Sequence, residues 1–318
     1  MNVVVLHDAE GDEVVDDVAN ALAELGHRIV RLGFAEDVVE TAVALRDSGA
    51  DLVFNLTESF AGKSALDSGI ASLLNLLNLR YTGSSHAGLL LAGDKVLAKR
   101  ILSFHGIPTP EFATLHRGAL ESADALTFPL IVKPPQEDAS IGITTTSVVT
   151  NVNELLAQLD EIHREYLGPI LVERYIEGRE LYVGVLGNER AIALAPAELD
   201  MSGLPSGVPR VASWNAKWEE DHPEYSGTHT VFPDDLDAEV AQRLAETALE
   251  AFRALRLRDY ARVDVRLDGE GKPHVLEVNP NCYLRNGEVF AEAARHAGME
   301  YPALIGRIVE LAAGRYAR

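Results

Sequence analysis

The chain is poor in several things that would otherwise widen the field. Its single cysteine, Cys282, excludes an internal disulfide framework and any thiolate cage for zinc, as expected of a reducing compartment. The 10 histidines are scattered without ligand spacing, so no His-bound zinc is expected either. Basic residues are scarce. With 28 Lys and Arg against 49 Asp and Glu, a net charge of -21 removes the cationic surface that nucleic acid or an anionic membrane needs. No apolar run approaches a membrane span, and the start MNVVVLHDAEGDE lacks the basic lead of a secretory signal. G-x-G-x-x-G and G-x-S-x-G are both absent, and Gly62-Lys63-Ser64 ends like a P-loop whose first glycine is replaced by Thr57. The expectation is a cytoplasmic protein with neither nucleic acid nor membrane as partner.

What is present is a globular composition, 47% hydrophobic and 24% charged, over 318 residues, enough for two or three lobes. Val3 to Leu6, His27 to Leu32 and Asp51 to Leu56 read as strands. Between them lie helical periods that stop at Gly26 and Gly49, which predicts a parallel sheet covered on both faces. Ligands of such sheets bind beyond the strand ends, here in the loops His7 to Glu13 and Thr57 to Ser64. A helix over 94–105, carrying Lys95 and Lys99, ends at Gly106-Ile107-Pro108-Thr109-Pro110 and marks the first lobe boundary. Phe128 to Val132 reads as a strand entering Lys133-Pro134, followed by the small polar loop Gln136 to Gly142. Residues 201–230, rich in Gly, Pro, Ser and Trp, have no clear period and read as a functional lid.

Near the C-terminus, Tyr260 to Leu267 and His274 to Val278 read as a hairpin closed by Asp268-Gly269-Glu270-Gly271-Lys272. Strand alternation puts Arg262 with Asp264, and Glu277 with Asn279, on common faces. If those faces coincide, three oxygen donors meet beside a guanidinium, a set that suits Mg2+. The plain alternative is a solvated face on which Arg262 merely pairs with Asp264 or Glu277.

Lys95, the "VKP" strand end at Lys133, "LVERYIEGRELYVGVLG", "YARVDV" and "VLEVNPN" stand in the order seen in ATP-grasp ligases. "FNL", "RYTGS", "DKVLAK" and "GIPTPEF" extend the likeness over nearly the whole chain, which most closely resembles the D-alanine-D-alanine ligases. The resemblance implies an α/β ATP-grasp fold with an N-terminal parallel-sheet (Rossmann-like) lobe, a central α+β lobe and a C-terminal α+β lobe. We place these at 1–93, 94–180 and 181–318, with the lid at 201–230 in the last. It implies that Lys95 and Lys133 hold the phosphates of ATP, that Glu173, Arg174 and Ile176 form the adenine hinge largely through backbone, and that Glu180 takes the ribose. Lys217 matches the lid lysine that reaches the phosphates. Asp264, Glu277 and Asn279 match the ligands of two Mg2+ ions, with Mn2+ as a substitute, and Arg262 matches the group that stabilises the tetrahedral intermediate. Ser140 keeps one hydroxyl of the family's catalytic Gly-Ser-Ser loop. The implied reaction joins a carboxylate to an amine through an acyl phosphate, and the implied assembly is a homodimer.

The substrate side departs from that pattern. The donor-binding histidine and acid become Glu58 and Lys63, and the early loop offers Glu10 or Glu13 for the substrate amine. Trp218 replaces the lid tyrosine, and the acceptor turn becomes Asn281-Cys282-Tyr283-Leu284-Arg285. Arg285 pairs with an acceptor carboxylate or simply covers the turn, and Cys282 contacts the acceptor or is a small packed residue. Amino acids or short peptides other than D-alanine are the expected substrates. Two rivals remain: an authentic D-alanine-D-alanine ligase, and an ATP-binding regulator or scaffold without chemistry.

Overall fold

The structure is a computed structural model and describes residues 1–8, 12–34, 37–116, 119–121, 126–134, 142–166, 168–219 and 221–316. In chain order the elements begin with β1 (Asn2–His7), α1 (Glu13–Glu24), β2 (Arg28–Gly33), α2 (Val38–Asp47) and β3 (Leu52–Asn55). The three strands form a parallel sheet in the order β2-β1-β3. Alternation along β1 explains the two covered faces. Val3 and Val5 enter one core with Val18 and Leu22 of α1, while Val4 and Leu6 enter another with Leu45 of α2. Asp12 caps α1 by accepting from Val14 N at 3.1 Å, and Gly26, at φ +80°, lets the chain turn out of it.

Helices α3 (Asp67–Leu76), α4 (His86–Gly93) and α5 (Lys95–Phe104) follow. Ala98 and Leu102 of α5 are buried in the core beneath the later large sheet. Next come β4 (Phe112–His116), β5 (Ala119–Glu121), β6 (Leu130–Lys133), β7 (Val148–Val149), α6 (Val152–Glu165) and β8 (Ile170–Arg174). They build an antiparallel sheet in the order β5-β4-β8-β6-β7. The expected strand over Phe128 to Val132 starts at Leu130, because Pro129 has no N–H for the ladder.

The largest sheet contains β9 (Arg179–Gly187), β10 (Ile192–Ala193) and β11 (Ala197–Asp200). Then come α7 (Trp214–Trp218), α8 (Pro223–Ser226), β12 (His229–Val231), α9 (Ala238–Ala254), β13 (Asp259–Leu267), β14 (Pro273–Asn279), α10 (Val289–His296) and α11 (Tyr301–Arg315). The sheet path is β12-β11-β9-β13-β14, with β10 on β9. The hairpin expected near the C-terminus is therefore β13-β14, longer than expected by Asp259, Pro273 and Asn279. Residues 201–230, which showed no period, hold two helices too short to display one, α7 and α8, and end in β12.

The terminal lobe reaches back to the first. Leu304, Ile305 and Ile308 of α11 share a core with α1 and β1. Buried Asp259 accepts from Gly83 N at 2.8 Å and from Asn188 Nδ2 at 3.2 Å, and pairs with Arg315. Arg315 in turn donates to Tyr81 O at 2.7 Å.

Candidate active site

Register decides whether the hairpin faces coincide. Asp264 lies opposite Glu277, and Arg262 lies opposite Asn279. A bulge between Asp264 and Val265 lets the ladder resume at Val275, and Leu276 is absorbed there. The next strand extends the same row, with Tyr182 opposite Asp264 and Glu180 opposite Arg266. One sheet face thus carries Glu180, Tyr182, Arg262, Asp264, Arg266, Glu277 and Asn279.

The polar contacts on that face are close. Arg262 Nε and Nη2 donate to the two Asp264 oxygens at 2.7 and 2.8 Å, and Asn279 Nδ2 donates to Asp264 Oδ2 at 3.3 Å. Lys95 Nζ lies 3.1 Å from Glu277 Oε2. Burial works against the charge of Arg262, but the Asp264 carboxylate overrides it and holds the guanidinium protonated. The plain pairing of Arg262 with Asp264 and the convergence of oxygen donors are both present. Among the described residues no three His, Cys, Asp or Glu side chains cluster as a complete metal cage. Two carboxylates and an amide instead fit a hard cation that fills its other positions with phosphate and water, as Mg2+ does.

Beside this face a pocket opens between the two larger sheets. Ile131, Ile143, Val211 and Leu276 supply apolar walls, and Lys133, Glu173, Glu180 and Arg266 supply the polar groups. Such a mixture suits a flat heterocycle joined to an anionic tail. At its base, fully buried Glu173 meets Lys133 Nζ at 2.8 Å and Lys99 Nζ at 2.6 Å. Burial opposes the Glu173 charge, but Lys133 and Lys99 together hold the carboxyl below its ordinary range. Ile176 is buried at the pocket, whereas the Arg174 side chain is exposed and lies 3.5 Å from Glu111.

Glu180 is held by Arg266 Nη2 at 2.6 Å and by the Tyr182 hydroxyl at 3.2 Å. Arg266 also donates to Gly178 O at 3.2 Å and Arg210 O at 3.0 Å. Gly178 has to be glycine, since a Cβ there would stand 1.9 Å from Leu267 O. Tyr175 OH donates to Arg210 O at 3.1 Å, and Trp214 N donates to Ile143 O at 3.0 Å. Val211 and Ala212 of the 201–230 segment line the pocket.

On the substrate side, Glu13 and Arg285 form an ion pair with each other. Asn281 accepts from Tyr260 OH at 2.6 Å and donates to Thr57 O at 2.7 Å, tying the acceptor turn to the loop after β3. Cys282 is buried in the core with Tyr260, and burial pushes its thiol up to about 12. Glu58 is exposed, and its negative charge acts on both Cys282 and Tyr260. Lys63 is exposed at the end of a tight turn closed by Phe60 N to Lys63 O at 3.2 Å. Glu10 and Ser140 lie outside the described residues, as do the side chains of Lys217 and Trp218.

Lys99, Tyr182 and Arg266 were given no role from sequence. Each had a signal: Lys99 lies four residues from Lys95 on one helix, and Tyr182 and Arg266 lie two residues beyond Glu180 and Asp264 on their strands.

Residues 101–310 match the family model described as D-ala D-ala ligase C-terminus. The "Uncharacterized protein y4sG" of Sinorhizobium fredii is 33% identical over 310 residues, covering 95% of this chain and 88% of its own. The D-alanine--D-alanine ligase of Desulforudis audaxviator is 32% identical over 302 residues, covering 94% of this chain and 92% of its own. Among solved structures, D-alanine--D-alanine ligase from Bacillus anthracis complexed with ATP superposes with a TM-score of 0.77 at 22% identity, covering 98% of this chain and 97% of that one. The fold is therefore ATP-grasp. By its matched length and its relatives, the chain belongs to the D-alanine-D-alanine ligase family and is an ATP-dependent ligase.

Proposed function

We propose that the protein joins a carboxylate to an amine through an acyl phosphate, with amino acids or short peptides other than D-alanine as substrates. The observation that carries the chemistry is the shared face of β13 and β14, where Arg262, Asp264, Glu277 and Asn279 meet beside Lys95. Lys95 and Lys133 would hold the ATP phosphates, and Glu180 the ribose. Asp264, Glu277 and Asn279 would hold Mg2+, which neutralises charge on the transferring phosphoryl group. After phosphoryl transfer, an amine displaces phosphate, and Arg262 is the group positioned to meet the resulting oxyanion. Lys217 and Ser140 are assigned to the phosphates and the reacting centre. The segment 201–230, whose Val211 and Ala212 line the pocket, would exclude the water that destroys an acyl phosphate.

The substrate inference rests on the acceptor turn. Asn281 and Cys282 are committed to packing and to holding the loop after β3, and Arg285 offers the only charge of that turn. Glu10, Glu13, Glu58, Lys63 and Trp218 complete the proposed substrate contacts. A second reading, D-alanine on both sides, is favoured by relatives of that name at about one-third identity. The lobes at 1–93, 94–180 and 181–318, two Mg2+ ions with Mn2+ as a substitute, a homodimer and a cytoplasmic location belong to the same proposal. Among the described residues no helix is long and apolar enough to cross a membrane.

The test is phosphate release across a panel of carboxylates and amines, with products weighed by mass spectrometry. Turnover with D-alanine alone establishes the second reading. No ADP release with any member would support a role without chemistry.

A further inference from the structure

Lys99 is the most buried cation of the pocket region, 1% exposed, on the inner face of α5. Its ammonium is met by the Glu173 carboxylate at 2.6 Å, Thr109 Oγ1 at 2.9 Å and Val275 O at 3.4 Å. Those three acceptors match its three protons, so the group is fixed in place. Thr109 Oγ1 also donates to Val275 O at 2.8 Å, which holds the cradle together. Lys133 reaches the other Glu173 oxygen at 2.8 Å from the pocket side. One carboxylate is thus shared by two lysines, one behind it and one in front.

The two are not equivalent. Lys133 ends β6 and lines the pocket, where an anionic tail would meet it, whereas Lys99 lies behind Glu173 with its three protons already met. Were Lys133 to turn to a bound phosphate, the front oxygen of Glu173 would face the pocket that Ile131, Ile143, Val211 and Leu276 also line. An ionised carboxylate can only accept hydrogen bonds; a protonated one can donate.

We propose that Lys99 is a positioning residue for the nucleotide: it keeps Glu173 ionised and fixed after Lys133 leaves, so that the site accepts a 6-amino purine and rejects a 6-oxo purine. This rests on the pocket being the nucleotide site. The surroundings agree with the assignment. Burial works against charge on both Lys99 and Glu173, and each is the counter-ion that opposes it for the other.

The experiment is calorimetric titration of the full chain with ATP and with inosine triphosphate, at pH values from about 6 to 8, comparing the unmodified protein, Lys99→Met and Thr109→Val. The unmodified protein should prefer ATP with a ratio that does not move with pH. Lys99→Met should weaken ATP by roughly ten-fold and inosine triphosphate by much less. Its preference should shift further toward inosine triphosphate as pH falls, because Glu173 without its rear cation takes up a proton and becomes a donor. Thr109→Val loosens the ammonium without touching the pocket, and should shift the ratio in the same direction by a smaller factor; it carries the test if Lys99→Met does not fold. Equal weakening of both nucleotides at every pH would reduce Lys99 to a structural residue and overturn the proposal. Failure of the unmodified protein to bind ATP here would instead remove the nucleotide site itself.

Discussion

Arg262 and Asp264, two residues apart on β13, are joined by two hydrogen bonds of 2.7 and 2.8 Å, and Asp264 is 3% exposed. The ring of Tyr182 lies under the same guanidinium, 4.8 Å from its centre. A carboxylate assigned to a metal is therefore already neutralised by the cation assigned to the oxyanion. On the proposed assignment, an ion held by Asp264 would compete with these two hydrogen bonds and so would free Arg262 for the oxyanion.

Arg262→Ala tests that coupling. It should lower kcat by roughly a hundred-fold or more while leaving the KM for ATP nearly unchanged, as loss of a group used only in the transition state does. It also removes the counter-charge and two of the hydrogen bonds of the Asp264 carboxylate, so the melting temperature should fall by several degrees in chelator and recover in part with Mg2+. Equal losses in kcat and ATP affinity would contradict the assigned role.

Glu277→Gln keeps the shape and removes the charge opposite Asp264. The concentration of Mg2+ needed for half-maximal ADP release should rise by roughly ten-fold or more. Lys95, 3.1 Å from Glu277, keeps its own charge for phosphate, so nucleotide affinity measured without metal should change far less. An unaltered Mg2+ requirement would count against the clamp.

Arg285→Ala separates the two readings of that residue. Its pair with Glu13 is largely exposed, at 41% and 70%, so stability should change by no more than about 1 kcal/mol. If Arg285 meets the acceptor carboxylate, the KM of the amine substrate should rise by roughly ten-fold or more. An unchanged KM for every acceptor assigns it to the surface.

Cys282 should behave as an inert thiol. With its pKa pushed up to about 12 by burial, it stays protonated in the folded chain while an unfolded chain releases the proton near 9. The folded state holds the extra proton between those values, so stability is intact below about 9 and falls as pH rises toward about 12. Alkylation by iodoacetamide at pH 8 should be slow in the native protein and fast after denaturation; rapid native labelling would show the thiol to be open to solvent.

Asp259→Ala probes the joint between lobes. Removing the buried acceptor of Gly83 N and Asn188 Nδ2, and the partner of Arg315, should lower the melting temperature by roughly 5 to 10 °C. A shift of under a degree would mean that the joint carries no stability.

Much of this was legible one residue at a time. The first sheet followed from β-branched runs separated by helices that stop at Gly26 and Gly49. The pairs Arg262 with Asp264 and Glu277 with Asn279 followed from strand alternation, a local property of the backbone. The start of β6 was placed two residues early because an apolar run continues through a proline that cannot join a ladder. The short helices α7 and α8 were invisible because four or five residues cannot display a period of 3.6.

Sequence alone determined which residues share a strand face and where strands and long helices alternate, since these depend on neighbours in the chain. Tertiary structure decided that the two hairpin faces coincide, through a register and a bulge set by packing of the whole sheet. It also decided that Lys99 and Lys133 share Glu173, and that Glu13 meets Arg285. Such meetings join residues tens to hundreds of positions apart. Burial gives the two Glu173 pairs their strength, and burial exists only once the lobes have closed on one another.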